Sequence, residues 1–340
     1  MKLAMSVATL IFVAHAASGQ SMNSFHAGSK PALRSTSTLV LVPTVVRSGS
    51  GELVTNLDTS RLRLFDNGTE QSVSVEETRN EPLAVVVLMQ TGGAAVSQLQ
   101  NYRTLDAMLE RMLSGSIRKV ALVTFDSRPE QIWPFPDMID ALYYFLRHPE
   151  RGDHGAAIQD AVNCAIGLLQ LQPPSFRRII VLLSQAEDDG STARSEDVVR
   201  SLAESGTTVY SLTFSTQETQ VNRHPVKPTR ANAAQGGALL RDAANFSSLD
   251  LVLKAMRERT AAELAALSGG EQAWFHDEGD LESKFLILAD DTHNGYTLSF
   301  YPTSHQAGLH NVVVRVFEER QSLRVMARGV YWVDETSAGK

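Results

Sequence analysis

The sequence predicts an α/β fold: a doubly wound, mostly parallel sheet with helices on both faces, plus a small β-sandwich formed by the N- and C-terminal segments. Three observations carry this. Residues 83–89, Leu-Ala-Val-Val-Val-Leu-Met, form a short, continuous apolar run closed by Gln90-Thr91-Gly92-Gly93-Ala94, as a strand buried on both faces should read. From there to residue 292, strand-like and helix-like stretches alternate, which is the pattern of parallel strands joined by crossover helices. Before residue 83 and after residue 293 the chain reads as strands and turns, and the two ends of a domain often lie close together.

Residues 1–16 come first. Lys2, an apolar run over 3–13 and Ala14-His15-Ala16 have the order of a secretory signal peptide, and the run is too short to span a bilayer. The expectation is a secreted or periplasmic protein with no membrane insertion after signal cleavage. Residues 17–37, rich in Ser, Gly and Ala, read as a flexible lead-in.

Residues 38–82 are the first β segment. Residues 39–42 and 44–46 are strand material interrupted by Pro43, and residues 61–65 alternate apolar and polar. Asp66-Asn67-Gly68-Thr69 is a tight-hairpin signal, with residues 71–77 as the returning strand. Asn67-Gly68-Thr69 also fits a glycosylation sequon, but turn chemistry explains the same residues.

In the middle, residues 100–113, 136–146, 156–171, 195–205, 247–267 and 281–289 read as helices. Residues 118–125, 130–134, 178–184, 207–214 and 273–276 read as strands. The 136–146 helix carries an aromatic face at Tyr143, Tyr144 and Phe145. The polar, Pro- and Gly-containing stretch at 215–238 is a long loop of the functional or disordered kind. Residues 293–340 supply strands at 296–301, 311–317 and 323–327, the second β segment. The α/β domain therefore spans residues 83–292, inserted between the two.

Composition excludes some function classes. The net charge is -7 with no Lys/Arg block, so a nucleic-acid partner is not expected, because phosphate neutralisation needs a basic surface. The single cysteine, Cys164, cannot form an intrachain disulfide and is expected as a small core residue.

The order of buried strand, helix, antiparallel strand pair, two helices and next buried strand resembles a von Willebrand factor type A domain. The flanking motifs resemble exported bacterial VWFA-related proteins of the acidobacterial type. They are Leu53-Val54-Thr55-Asn56-Leu57 with Leu62-Arg63-Leu64-Phe65-Asp66-Asn67-Gly68, then Leu267-Ser268-Gly269-Gly270, Gly295-Tyr296-Thr297-Leu298-Ser299-Phe300-Tyr301-Pro302, Gly308-Leu309-His310 and Ala327-Arg328-Gly329-Val330-Tyr331. The resemblance covers nearly all of the chain beyond residue 37.

It implies a crest above the first buried strand where such domains hold a divalent cation, the metal-ion-dependent adhesion site or MIDAS. The family's D-x-S-x-S loop falls on Gln90, Gly92 and Ala94, its Thr on Ala156 and its last Asp on Gln185. Mg²⁺ requires hard oxygen ligands with at least one carboxylate, and these positions supply only the two neutral Gln carbonyl oxygens, which bind it poorly. The expectation is a degenerate site with no metal and no other cofactor. Thr91, Gly93, Asp153, His154, Asp188 and Asp189 belong to the neighbouring loops. Glu187-Asp188-Asp189 has two readings, a carboxylate displaced into the site or a solvated turn. Arg151-Gly152-Asp153 matches an adhesion tripeptide and equally fits ordinary turn chemistry.

Enzymatic signatures are missing. No G-x-S-x-G elbow, no phosphate-cradling G-x-x-x-x-G-K-S/T and no H-E-x-x-H occurs. Ser184, at the end of a buried strand, is the one well-placed nucleophile and has no identifiable base. The expected function is a non-catalytic, exported protein–protein interaction module whose partner the sequence does not name. The alternatives are a metal-dependent adhesion domain using Asp188 and Asp189, a crevice for a peptide or small molecule, and a structural protein of the cell envelope.

Overall fold

The computed structural model describes residues 39–78, 81–114, 117–136, 139–214, 249–317 and 323–334. The expected signal segment and lead-in, and the 215–238 loop, lie outside the described residues.

At the centre is strand β5 (Leu83–Gln90), with all eight residues buried. Two parallel neighbours explain this: β6 (Arg118–Phe125) on one side and β8 (Arg177–Ser184) on the other. The six-stranded sheet runs β10-β9-β8-β5-β6-β7, completed by β9 (Thr208–Phe214), β10 (Gln272–Phe275) and the antiparallel edge strand β7 (Pro129–Trp133). Successive β5 side chains point to opposite faces. Val85, Val87 and Met89 pack with α1 (Leu105–Met112), α2 (Ile139–Arg147) and α7 (Glu278–His293). Ala84, Val86 and Leu88 pack with α3 (Ile158–Gln170), α4 (Ser195–Ser205), α5 (Leu249–Glu258) and α6 (Thr260–Ser268). The α/β sheet with helices on both faces is thus as the sequence predicts.

The two ends of the chain build two four-stranded sheets, β13-β1-β11-β4 and β14-β12-β2-β3. The first combines β1 (Val40–Ser48) and β4 (Ser74–Thr78) with β11 (Gly295–Phe300) and β13 (Leu323–Ala327). The second combines β2 (Leu62–Asp66) and β3 (Thr69–Gln71) with β12 (Gly308–Val316) and β14 (Val330–Val333). Val42, Leu64, Leu298, Phe300 and Val312 fill the core between them.

Several local readings change. Pro43 does not interrupt β1, because its carbonyl accepts from Arg328 N–H just past the end of β13. N–H and C=O of a strand residue point to the same edge, so the proline's missing donor falls where the ladder has stopped. The hairpin at Asn67-Gly68 forms with φ of 46° and 82°, but its returning strand is only Thr69–Gln71. The chain then crosses to the other sheet as β4. Residues 100–113 give a 3-10 turn at Leu99–Tyr102 before α1. Residues 249–268 are two helices, broken at Arg259 with φ −153°. On α2, Tyr143 is buried and Tyr144 exposed, so the three aromatics do not form one face.

Candidate functional site

Parallel strands gather their carboxyl-terminal loops at one edge of the sheet, the usual place for a ligand in an open α/β fold. Four loops meet there, after β5, β6 and β8 and before α3. Gln90 is completely buried at the tip of β5. Its Nε2 donates to the Gly92 carbonyl at 3.1 Å and to Gln185 Oε1 at 3.2 Å, while its Oε1 accepts the Gln185 N–H at 2.9 Å. Gln185 Nε2 donates to the Glu187 carbonyl at 3.0 Å. Each amide oxygen already accepts a hydrogen bond and each amide nitrogen donates, so the two side chains close a ring of contacts across the crest.

The Gly92-Gly93 loop lies directly against the loop before α3. A Cβ on Gly92 would stand 2.5 Å from Asp126 Cβ and 2.6 Å from the Asp153 carbonyl oxygen. The Gly92 φ is −95°, so contact alone requires glycine there; Gly93, at φ 54°, occupies the left-handed region. Gly93 N–H donates to the Asp153 carbonyl and Gly152 N–H to the Thr91 carbonyl. Thr91 is buried, and its N–H and hydroxyl both donate to the Phe125 carbonyl.

Ala156 forms an antiparallel bridge with Asp189, each N–H donating to the other's carbonyl. Ala94 stands apart and packs against the apolar core of the α1 face.

The carboxylates act as ties within the protein. Asp188 Oδ1 accepts from Gln159 N–H at 2.9 Å and from the Ser191 hydroxyl at 2.6 Å. It caps α3 from a separate loop, satisfying donors that a helix start leaves open. The solvated-turn reading therefore fails for Asp188, which is half-buried, and describes Glu187 and Asp189, which are exposed. Asp153 is exposed but accepts from Ser127 N–H at 3.0 Å, Gly155 N–H at 2.8 Å and the Ser127 hydroxyl. In Arg151-Gly152-Asp153 the aspartate is thus engaged by Ser127 of the loop after β6 and by Gly155 of its own loop. His154 is exposed, and its backbone carbonyl lies against Gly93.

Sequence reasoning missed Asp126. It is buried at the end of β6, and its Oδ2 accepts the Asp153 N–H at 3.0 Å while its backbone carbonyl accepts the Ala157 N–H. The signal was an acid directly after a buried strand, in Phe125-Asp126-Ser127. Beside it opens a cavity of about 120 Å³ lined by Thr91, Asp126, Gln131, Phe145 and Glu150 among others.

The donor chemistry of the crest does not fit a divalent cation. The positions that would face it are two neutral amides already bonded to each other, a glycine and two alanines, whereas such cations select carboxylate oxygens. Among the described residues no three His, Cys, Asp or Glu side chains come together as a metal cluster. Ser184 is fully buried, and its hydroxyl donates to the Gln185 carbonyl at 2.7 Å. Cys164 is half-buried, and burial raises its thiol pKa.

No family model and no curated protein matches this sequence. Solved structures do. The conserved hypothetical protein BatB from Bacteroides thetaiotaomicron is similar over 62% of this chain and 98% of its own, at 16% identity and a TM-score of 0.42. A von Willebrand factor type A structure from Catenulispora acidiphila covers 79% of this chain and 75% of its own, at 9% identity and a TM-score of 0.41. The SpRpn10 VWA domain covers 60% and 93%, at 8% identity and a TM-score of 0.38.

Proposed function

We propose that this chain is a non-catalytic, exported protein-interaction module that meets its partner through the crest and does so without a metal ion, as a degenerate MIDAS. The observation that carries the reading is the reciprocal bonding of Gln90 and Gln185. A cation would have to break those bonds and would find no carboxylate at either position. Asp188, one candidate for a displaced ligand, already caps α3 and holds Ser191. The missing hydrolase, phosphate-loop and metalloprotease motifs, and the commitment of the Ser184 hydroxyl to a backbone carbonyl, support a role other than catalysis.

Calorimetry on the purified protein with Mg²⁺, Mn²⁺ and Ca²⁺ tests the metal. No binding heat is expected, and tight binding lost in Gln90→Ala or Asp188→Ala would replace this reading with metal-dependent adhesion. Capture of the native partner from the producing cell's envelope should persist in EDTA. It should weaken when exposed Glu187 and His154 are changed to Arg and Ala, and stay unchanged when exposed Ile117 at the opposite edge becomes Ser. Equal loss in both variants would remove the crest as the contact surface. Export predicts that native material begins beyond residue 16; an N-terminus at Met1 would refute it.

The cavity beside Asp126 favours a second reading, a peptide side chain or small ligand lodged next to the crest. Gln131→Trp, which fills that space, should then abolish capture.

A further inference from the structure

Away from the crest, the β14-β12-β2-β3 sheet encloses a polar cluster. His310 on β12 and Asp66 at the end of β2 are each 1% exposed at the side chain, and Tyr331 on β14 is also buried. His310 Nδ1 lies 2.9 Å from Asp66 Oδ1, and its Nε2 lies 2.7 Å from the Gln306 backbone carbonyl. Tyr331 donates its hydroxyl proton to Asp66 Oδ2 at 2.9 Å. A backbone carbonyl can only accept, so Nε2 carries a proton. Nδ1 faces two oxygens, Asp66 Oδ1 and, also at 2.9 Å, the Tyr331 hydroxyl, whose single proton is given to Asp66 Oδ2; toward an ionised carboxylate Nδ1 can only donate, so it carries a proton too. A ring with hydrogens on both nitrogens is an imidazolium.

We infer that His310, Asp66 and Tyr331 form a buried charged lock that fastens the N-terminal hairpin to the two C-terminal strands and that loosens when His310 loses its proton. The three residues come from three adjacent strands, and Asp66 and Tyr331 are 265 positions apart in sequence. Deprotonation removes the donor from one ring nitrogen and leaves either Asp66 Oδ1 or the Gln306 carbonyl without its His310 donor in a dry site, where an unmet polar atom is costly. The consequence reaches beyond the sandwich. Tyr331 belongs to the sandwich core, while its neighbours Val330 and Trp332 pack into the α/β core, so release of β14 disturbs both.

The groups facing the imidazolium are few. Asp66 comes from β2, Tyr331 from β14, and Gln306 contributes only its backbone. Arg328 acts on Tyr331 from the turn before β14. From the opposite sheet comes the neutral ring of Phe300, edge-on to Tyr331 at 5.8 Å. Burial by itself lowers the His310 pKa, but the Asp66 hydrogen bond, the Gln306 carbonyl and the Asp66 charge outweigh it and hold the value above that of an ordinary histidine. Burial and the Asp66 charge raise the Tyr331 pKa, so the phenol stays protonated. A histidine raised in the folded state lends stability that is complete below its unfolded value and fades as pH climbs through the folded one.

Nitrogen-15 NMR of the imidazole rings in the intact protein reads the protonation state directly and needs no variant. At neutral pH both ring nitrogens of His310 should be protonated, with a titration midpoint above about 6.5. Urea unfolding of wild type, His310→Gln and Asp66→Asn from pH 6 to 9 provides the second readout. The wild-type midpoint should fall with rising pH relative to that of His310→Gln, and Asp66→Asn should bring the His310 titration down. A single protonated ring nitrogen at neutral pH, or parallel pH profiles for wild type and His310→Gln, would overturn the inference.

Discussion

At the scale of single residues, the crest is governed by Gln90, Gly92 and Gln185. Gln90→Ala leaves the Gln185 N–H without its acceptor and removes one of the two donors to the Gly92 carbonyl, the Ala95 N–H being the other. The expected cost is about 1–3 kcal/mol, read by urea unfolding. Gly92→Ala brings a methyl group into Asp126 Cβ and the Asp153 carbonyl. Backbone atoms cannot step aside as a flexible side chain can, so a loss of about 1–3 kcal/mol is expected; an unchanged unfolding midpoint would show that the loop yields. The positions of Gln90 and Gln185 were legible through the resemblance, because each lies at the carboxyl end of a buried apolar strand, Gln185 after Ser184. Their mutual bonding was not, since the two are 95 positions apart and nothing local to either residue encodes it. Asp126 escaped for the same reason, as did the capping role of Asp188, a residue already named among the loop carboxylates: each stabilises a segment other than its own.

At the scale of elements, α3 borrows its cap. Its own preceding residue, Ala157, has no side chain to offer, and Asp188 and Ser191 from the loop after β8 meet the Gln159 and Asp160 N–H groups. Asp188→Ala should cost about 0.5–2 kcal/mol, with increased hydrogen exchange in the first turn of α3; protection there unchanged from wild type would contradict the cap. Sequence reading succeeded where information is local. The Asn67-Gly68 hairpin, the alternating β2 strand and the end of α4 at Gly206, with φ 65°, all formed as expected. It failed where distant contacts decide. The break between α5 and α6 has no proline or glycine to announce it. There the Asp188 N–H donates to the Thr260 hydroxyl and the Ala261 N–H to the Ala186 carbonyl, so the loop after β8 fixes the start of the second helix. Pro43 was misread for a related reason, since a proline's cost in a strand depends on which edge its missing donor faces.

At the scale of the whole molecule, paired charges fasten the sandwich to the α/β sheet. Arg47 and Arg324 stand opposite each other on β1 and β13, and reach Asp291 on α7 and Glu271 before β10, each at 2.5 Å. Arg328 adds three backbone carbonyls, those of Leu41, Val330 and Ala203 at the end of α4, and its burial lowers its pKa to about 10. Asp291 is the titrating member of the seam. Burial raises its pKa to about 6 despite the opposing charge of Arg47, with Glu271 and Asp290 adding to the rise. An acid raised in the folded state contributes stability that is complete below its unfolded value and is lost as pH rises through the folded one. From 3.8 to about 6 that amounts to about 3 kcal/mol. Between pH 4 and pH 7 the stability of wild type relative to Asp291→Asn should fall by about this amount. A constant difference would mean that Arg47 holds the carboxylate ionised throughout. This window lies below the one governed by His310, so the two effects separate on one pH series.

The sandwich drawn from both chain ends also sets a timetable. In the register of β1 with β11, Val40 lies opposite Phe300, so on a ribosome adding about 5–20 residues per second the first strand waits on the order of ten to fifty seconds for its partner. Throughout that wait Leu39-Val40-Leu41-Val42 is an unclaimed, strongly apolar β segment of the kind that pairs with other chains. The α/β sheet can complete itself in the meantime, because its strands lie between the two ends. Chains interrupted before β11 should therefore aggregate through their N-terminal strand even though the central sheet is whole, and the nascent chain stays open to such pairing until Gly295–Phe300 appears.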